Sequence, residues 1–285
     1  MPHRRFPARA LFLCAAVASA ALPRFVGAQA SALPPAAATL DAITARGRAL
    51  AGYERAAWRA YSQLLATRPD PRHTQRYVAY RADSGWAVAF GRLNATRDTF
   101  YVSHVAIPAL VDGKRVDTAF AIQAMETPAP DTDYLARAAR AIDTATSLFW
   151  PTGRPYDAAV LPAGDGSWWV YVLPAPNREG VWPLGDDMRY RVAADGRSIL
   201  ETRRMHIGMI EFDRSKRPPE TRLVGGVHRT IVSDLPEDSD VFHVLTRTPS
   251  VFEYLFTPRF LYMINEDGSI RFILGRGAVL GGASQ

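Results

Sequence analysis

The stretch MRYRVAADGRSILETRR, residues 188–204, decides the fold class. Alternating and aromatic runs flank Asp195-Gly196. A period of two is the strand period, because successive side chains point to opposite sheet faces. Asp-Gly supplies residues that tolerate positive φ, which tight hairpins require. The stretch therefore reads as a β-hairpin. FLYMINEDGSIRFIL, residues 260–274, repeats the device around Asp267-Gly268. Asp83-Ser84-Gly85, Asp112-Gly113 and Asp165-Gly166 are further turns of this kind. Serial hairpins predict antiparallel sheet rather than βαβ units.

Two segments carry the helical period instead. From Thr39, residues Leu40, Ile43, Leu50, Tyr53, Trp58, Tyr61 and Leu65 recur at spacings near three and four. This predicts a helix over 39–66, with Gly47 and Gly52 as weak points and candidate kinks. A second helix is predicted over 131–149, capped by Asp131 or Thr132, with a stripe of Leu135, Ala138, Ala139, Ile142 and Leu148. The fold class is thus α+β: antiparallel sheet built from Asp-Gly hairpins, with two principal helices packed on it.

Each helix is followed by a glycine-containing turn, a tryptophan and a strand: YRADSGWAVAF (80–90) and LPAGDGSWWVYV (161–172). This echo suggests two similar α+β lobes, over 39–128 and 129–274. A disordered lead-in (31–38) precedes them and a flexible tail (275–285) follows. The second unit resembles small periplasmic modules of the PepSY and cystatin-like kind, in which one helix packs on a curved antiparallel sheet.

The first thirty residues read as an export signal. Arg4, Arg5 and Arg9 precede an apolar run from Ala10 to Leu22, and Ala28-Gln29-Ala30 closes the segment with small residues. As a helix the run spans about 20 Å, short of the roughly 30 Å hydrocarbon core. Cleavage is expected after Ala30, placing the mature chain in the periplasm or outside a bacterial cell. The signal holds four arginines and no acids, so its loss takes Lys+Arg from 34 to 30 against 28 acids, a net charge of +2. Nucleic acid is therefore not an expected partner. Cys14, the one cysteine, leaves with the signal, which excludes a disulfide, a Cys-ligated zinc site and a thiol nucleophile. No later stretch is apolar enough for a transmembrane helix.

Standard catalytic motifs are missing: no G-x-S-x-G elbow, no phosphate loop, no H-E-x-x-H. Of the remaining histidines, His73 reads as exposed beside prolines, and His104 and His206 as partly buried strand residues. The chemically richest stretch is GGVHRTIVSDLPEDSDVFHVLTR (225–247), where His228 and His243 bracket Asp234, Glu237, Asp238 and Asp240. Read as two strands, 222–232 and 240–247, joined at Leu235-Pro236, it places His228 opposite His243. Opposed residues have Cβ atoms about 5 Å apart. Two imidazoles there suit a divalent metal, with Asp234 or Asp240 as third ligand, or a His–carboxylate acid/base pair. The JAMM metallohydrolases use His-x-His at a comparable place, and Thr230 stands here at the second histidine position.

Trp168, Trp169 and Trp182 cluster around one hairpin and its loop, and form the candidate binding surface. Adjacent Trp168 and Trp169 must face opposite sides of a strand. With no complete catalytic constellation, the leading expectation is a non-enzymatic module that holds a ligand or envelope partner, with no resident cofactor. The alternatives are a metal-dependent hydrolase on His228 and His243, with Asp234 or Asp240, and a structural or assembly role in the envelope.

Overall fold

A computed structural model describes residues 33–275 except 113, 150–152, 217 and 219. The expected signal peptide and its cleavage point, and all of the expected tail beyond Gly275, lie outside the described residues. The chain opens with helix α1 (Ala37–Ala66). A meander follows: β1 (Arg76–Ala82), β2 (Gly85–Leu93), β3 (Phe100–Val111) and β4 (Lys114–Asp131), paired antiparallel in that order. Helix α2 (Tyr134–Thr146) leads into β5 (Tyr156–Pro162), β6 (Trp168–Pro174), β7 (Val181–Gly185), β8 (Met188–Val192), β9 (Ile199–Arg204) and β10 (Met209–Asp213). Strands β5-β6-β8-β9 form a second antiparallel sheet, and β7 pairs with β10 as a separate ribbon. The last elements are β11 (Gly226–Arg229), α3 (Asp238–Thr246), β12 (Glu253–Phe256), β13 (Phe260–Ile264) and β14 (Ile270–Gly275).

Four of the five turn signals join sequential paired strands, and β3 and β4, on either side of the fifth, also pair. Gly85, Gly166, Gly196 and Gly268 take positive φ at these turns. In three of them the aspartate accepts a bond from the backbone N–H two residues on: Ser167 to Asp165, Arg197 to Asp195, Ser269 to Asp267.

The helices differ in detail from their prediction. Helix α1 runs unbroken through Gly47. That glycine serves packing: a Cβ there would sit 2.5 Å from Val241 Cβ and 2.8 Å from the Asp238 carbonyl oxygen. Its bare backbone lets α3 cross α1 closely. Helix α2 starts at Tyr134, and its N-cap Asp133 makes no side-chain cap bond. Asp131 instead reaches forward, accepting from the backbone N–H of Asp133 (3.0 Å) and Ala136 (3.1 Å).

Two expectations fail in the C-terminal region. Residues 240–247 are not a strand but most of α3. Nor is the sheet wholly antiparallel: β11 pairs parallel with β12, with α3 as the crossover between them. Proline 236 and acids at 237, 238 and 240 begin the helix. Asp240 Oδ2 accepts from the Glu237 backbone N–H at 2.7 Å, the cap that favours helix over strand here. Every register that set His228 opposite His243 is thereby removed.

One apolar core joins Leu50, Tyr53 and Leu64 of α1 with Phe90 of β2, Ala139 of α2, Val170 and Tyr171 of β6 and Tyr190 of β8. Each large apolar side chain so buried contributes about 1.5–3 kcal/mol. This core spans both sides of residue 128, and β4 runs straight through that position. The described residues all belong to one compact unit. Among them no helix is long and apolar enough to cross a membrane.

Candidate metal centre

The acids of 234–240 go to four different tasks. Asp234 accepts from Arg259 Nε at 2.7 Å and bonds no histidine among the described residues. Glu237 pairs with Arg203 of β9. Asp238, fully buried, accepts from Arg46 Nε (3.0 Å), Arg189 Nη1 (2.6 Å) and Tyr171 Oη (2.9 Å). Only Asp240 turns to the imidazoles.

His228, on β11, approaches Asp240 Oδ1 with Nε2 at 2.8 Å. His206, just past β9, approaches the same oxygen with its own Nε2 at 3.0 Å. The other side of each ring is held by a separate carboxylate. His206 Nδ1–H donates to Asp187 at 3.0 and 3.1 Å. His228 Nδ1–H donates to Glu253 Oε1 at 2.9 Å, and Arg247 closes the chain on Glu253 Oε2. One ligand atom from each of His206, His228 and Asp240 lies within 4.8 Å of the others. Their side chains are 8%, 5% and 0% exposed.

Local structure explains each placement. Asp187 and His206 flank the open end of the β8–β9 hairpin, where the Met205 N–H donates to the Asp187 carbonyl at 3.1 Å. Asp240 is fixed by the cap of α3, which engages its second oxygen. Glu253 fits because β11 carries Gly226 opposite it: a Cβ there would lie 1.9 Å from Glu253 Oε2. The sequence GG at 225–226 is thus a close approach of a side chain to bare backbone.

The electrostatics follow. Burial by itself lowers an imidazole pKa. At His206 it is overcome by Asp240 and Asp187, which take the ring up to about 11. At His228 burial is overcome by Asp240 and Glu253, up to about 9. Burial likewise opposes the Asp240 charge, yet the two imidazoles hold it well below the usual carboxylate range.

No family model, curated protein or solved structure matches the chain.

The structure brings together two of the candidate site residues, His228 and Asp240, and adds His206. His243 stands apart from this group: it stacks near Phe212 (centroids 4.5 Å apart), and its buried Nε2 has no partner among the described residues. Burial, then the Arg247 guanidinium, keeps it well below the ordinary imidazole range. From its own neighbours His206 reads as a partly buried strand residue, whereas it lies buried just past the end of β9. Its partners lie 19 and 34 positions away, so no local spacing marks it.

The tryptophans also separate. Trp168 faces the core, 3% exposed, its Nε1–H donating to the Ala194 carbonyl at 3.1 Å. Trp169, on the opposite face, is covered by the guanidiniums of Arg191 (4.1 Å), Arg189 (4.7 Å) and Arg46 (5.6 Å). Trp182 sits in the β7–β10 ribbon opposite Phe212. Trp168 and Trp169 thus serve opposite faces of β6.

Proposed function

We propose that the protein is an exported metalloprotein holding one divalent transition-metal ion on His206 Nε2, His228 Nε2 and an Asp240 oxygen. The observation that carries this is the convergence of two Nε2 atoms on one buried carboxylate oxygen, each ring being held from behind by its own carboxylate. Ligating histidines characteristically give their second N–H to a carboxylate in this way, which fixes the tautomer and aims the other nitrogen. Imidazole and carboxylate donors suit zinc and its transition-metal neighbours. Charge supports the reading as well. Asp187, Asp240 and Glu253 are balanced by Arg247 plus either two imidazolium protons or one dication. An ion can therefore replace the two Nε2 protons with no net change in buried charge. Three protein donors leave a position for water, the arrangement of hydrolytic rather than structural zinc. The activity for which the centre is equipped is metal-assisted hydrolysis.

The same charge alternation favours a second reading, in which the protonated chain Asp187–His206–Asp240–His228–Glu253–Arg247 is itself the finished structure. Elemental analysis separates the two. The metal reading requires about one ion per chain, lost in His206→Ala and His228→Ala and kept in His243→Ala. Trace metal only, together with a melting temperature indifferent to chelator and to added Zn²⁺, leaves the metal-free chain.

A further inference from the structure

A second site lies away from this centre, in a cleft of about 470 Å³ where β1, β2, β5 and the start of α2 meet. Its floor is apolar, from Ala79 and Val160. Its walls are aromatic: Tyr80 of β1, Trp86 of β2 and Tyr134 of α2, with Tyr80 and Tyr134 centroids 6.3 Å apart. Arg81 and Asp131 supply one charge of each sign. Small-molecule pockets run from roughly 300 to 1,000 Å³ and combine apolar walls with a few convergent polar groups.

The polar groups here have capacity the fold leaves unused. The Tyr80 and Tyr134 hydroxyls have no hydrogen-bond partner among the described residues. Arg81 lays its guanidinium on Trp86, 4.3 Å from the ring centroid, and has no carboxylate partner among them. Asp131 engages Oδ1 in capping α2, while Oδ2 takes no bond from them. The residues lining the cleft thus bring two hydroxyls, a guanidinium and a carboxylate oxygen to one aromatic-walled space.

We infer that this cleft binds a neutral carbohydrate of one or two rings. A sugar offers a C–H face to stack on an aromatic ring, and a rim of hydroxyls that both donate and accept. Arg81 and the phenols donate to those hydroxyls; Asp131 accepts from them. A purely apolar ligand would strand these groups without partners, which costs binding energy. A strongly charged ligand would meet one repulsive group whichever its sign. A small free amino acid such as glycine or alanine would satisfy Arg81 and Asp131 but leave the aromatic walls idle.

Isothermal titration of the mature chain with D-glucose, N-acetylglucosamine and cellobiose tests the assignment, with glycine and L-alanine alongside. Saturable heat is expected with at least one sugar. Tyr134→Phe and Arg81→Ala should each weaken it about tenfold, the loss of one or two hydrogen bonds. Trp58→Ala, on an exposed tryptophan outside the cleft, should leave it unchanged. Tyr134→Phe deletes a single oxygen, so misfolding is not an explanation for its effect. No saturable heat with any sugar, binding indifferent to both cleft variants, or binding of the amino acids alone overturns the inference.

Discussion

At Gly226 the absence of one carbon decides whether His228 keeps its second partner. Gly226→Ala would place a methyl group on the Glu253 carboxylate, forcing it away from His228 and Arg247. Breaking a buried ion pair costs about 3–5 kcal/mol. The urea midpoint should therefore fall sharply with an unchanged slope; a midpoint within error of wild type would refute the contact. Glu54 makes a converse case. It is half-buried as a residue, but its Oε1 is out of water and has no hydrogen-bond partner among the described residues. Burial, then the nearby Asp157 charge, lifts its pKa to about 8. A carboxyl raised above its unfolded value of about 4.5 favours the fold most at low pH and loses that contribution as pH rises to about 8. Glu54→Gln should flatten the decline in melting temperature across that window and raise it at pH 8. Two of the three residues of the proposed centre, His228 and Asp240, could be picked from sequence because both lie in one acid-rich stretch. His206 could not, since tertiary contacts alone bring it there.

The elements show what local chemistry can and cannot reveal. The hairpins were legible because an Asp-Gly turn carries its own dihedral requirement, visible in two adjacent residues. Helix α3 was not. Its nine residues include Val241 and Val244, whose β-branched side chains suit a strand equally, and the deciding cap is one carboxylate reaching back three residues. The crossing of α3 over α1 makes a prediction with an unusual sign. Glycine to alanine inside a helix ordinarily stabilises by about 1 kcal/mol. At Gly47 the new methyl meets Val241 and the Asp238 carbonyl, so Gly47→Ala should lower the melting temperature. A rise would show that the helices have room to spare.

For the whole molecule, one core running through both halves implies one cooperative transition. Calorimetry should show a single peak; two separable peaks would support the two-lobe picture suggested by the echoed sequences. Zinc at about a hundred times its dissociation constant should add about 2.7 kcal/mol, or about 5–10 °C in a chain of this size. Chelator should reverse that gain in wild type and do nothing in His228→Ala. The proposed donors are His206, His228 and Asp240. They arrive from the end of β9, from β11 and from α3, and meet only when all three have docked. A chain threaded through a membrane before folding has nowhere to carry the ion. If the chain is exported unfolded and the proposed ion binds, loading would follow on the far side, from the metal supply outside the cytoplasm.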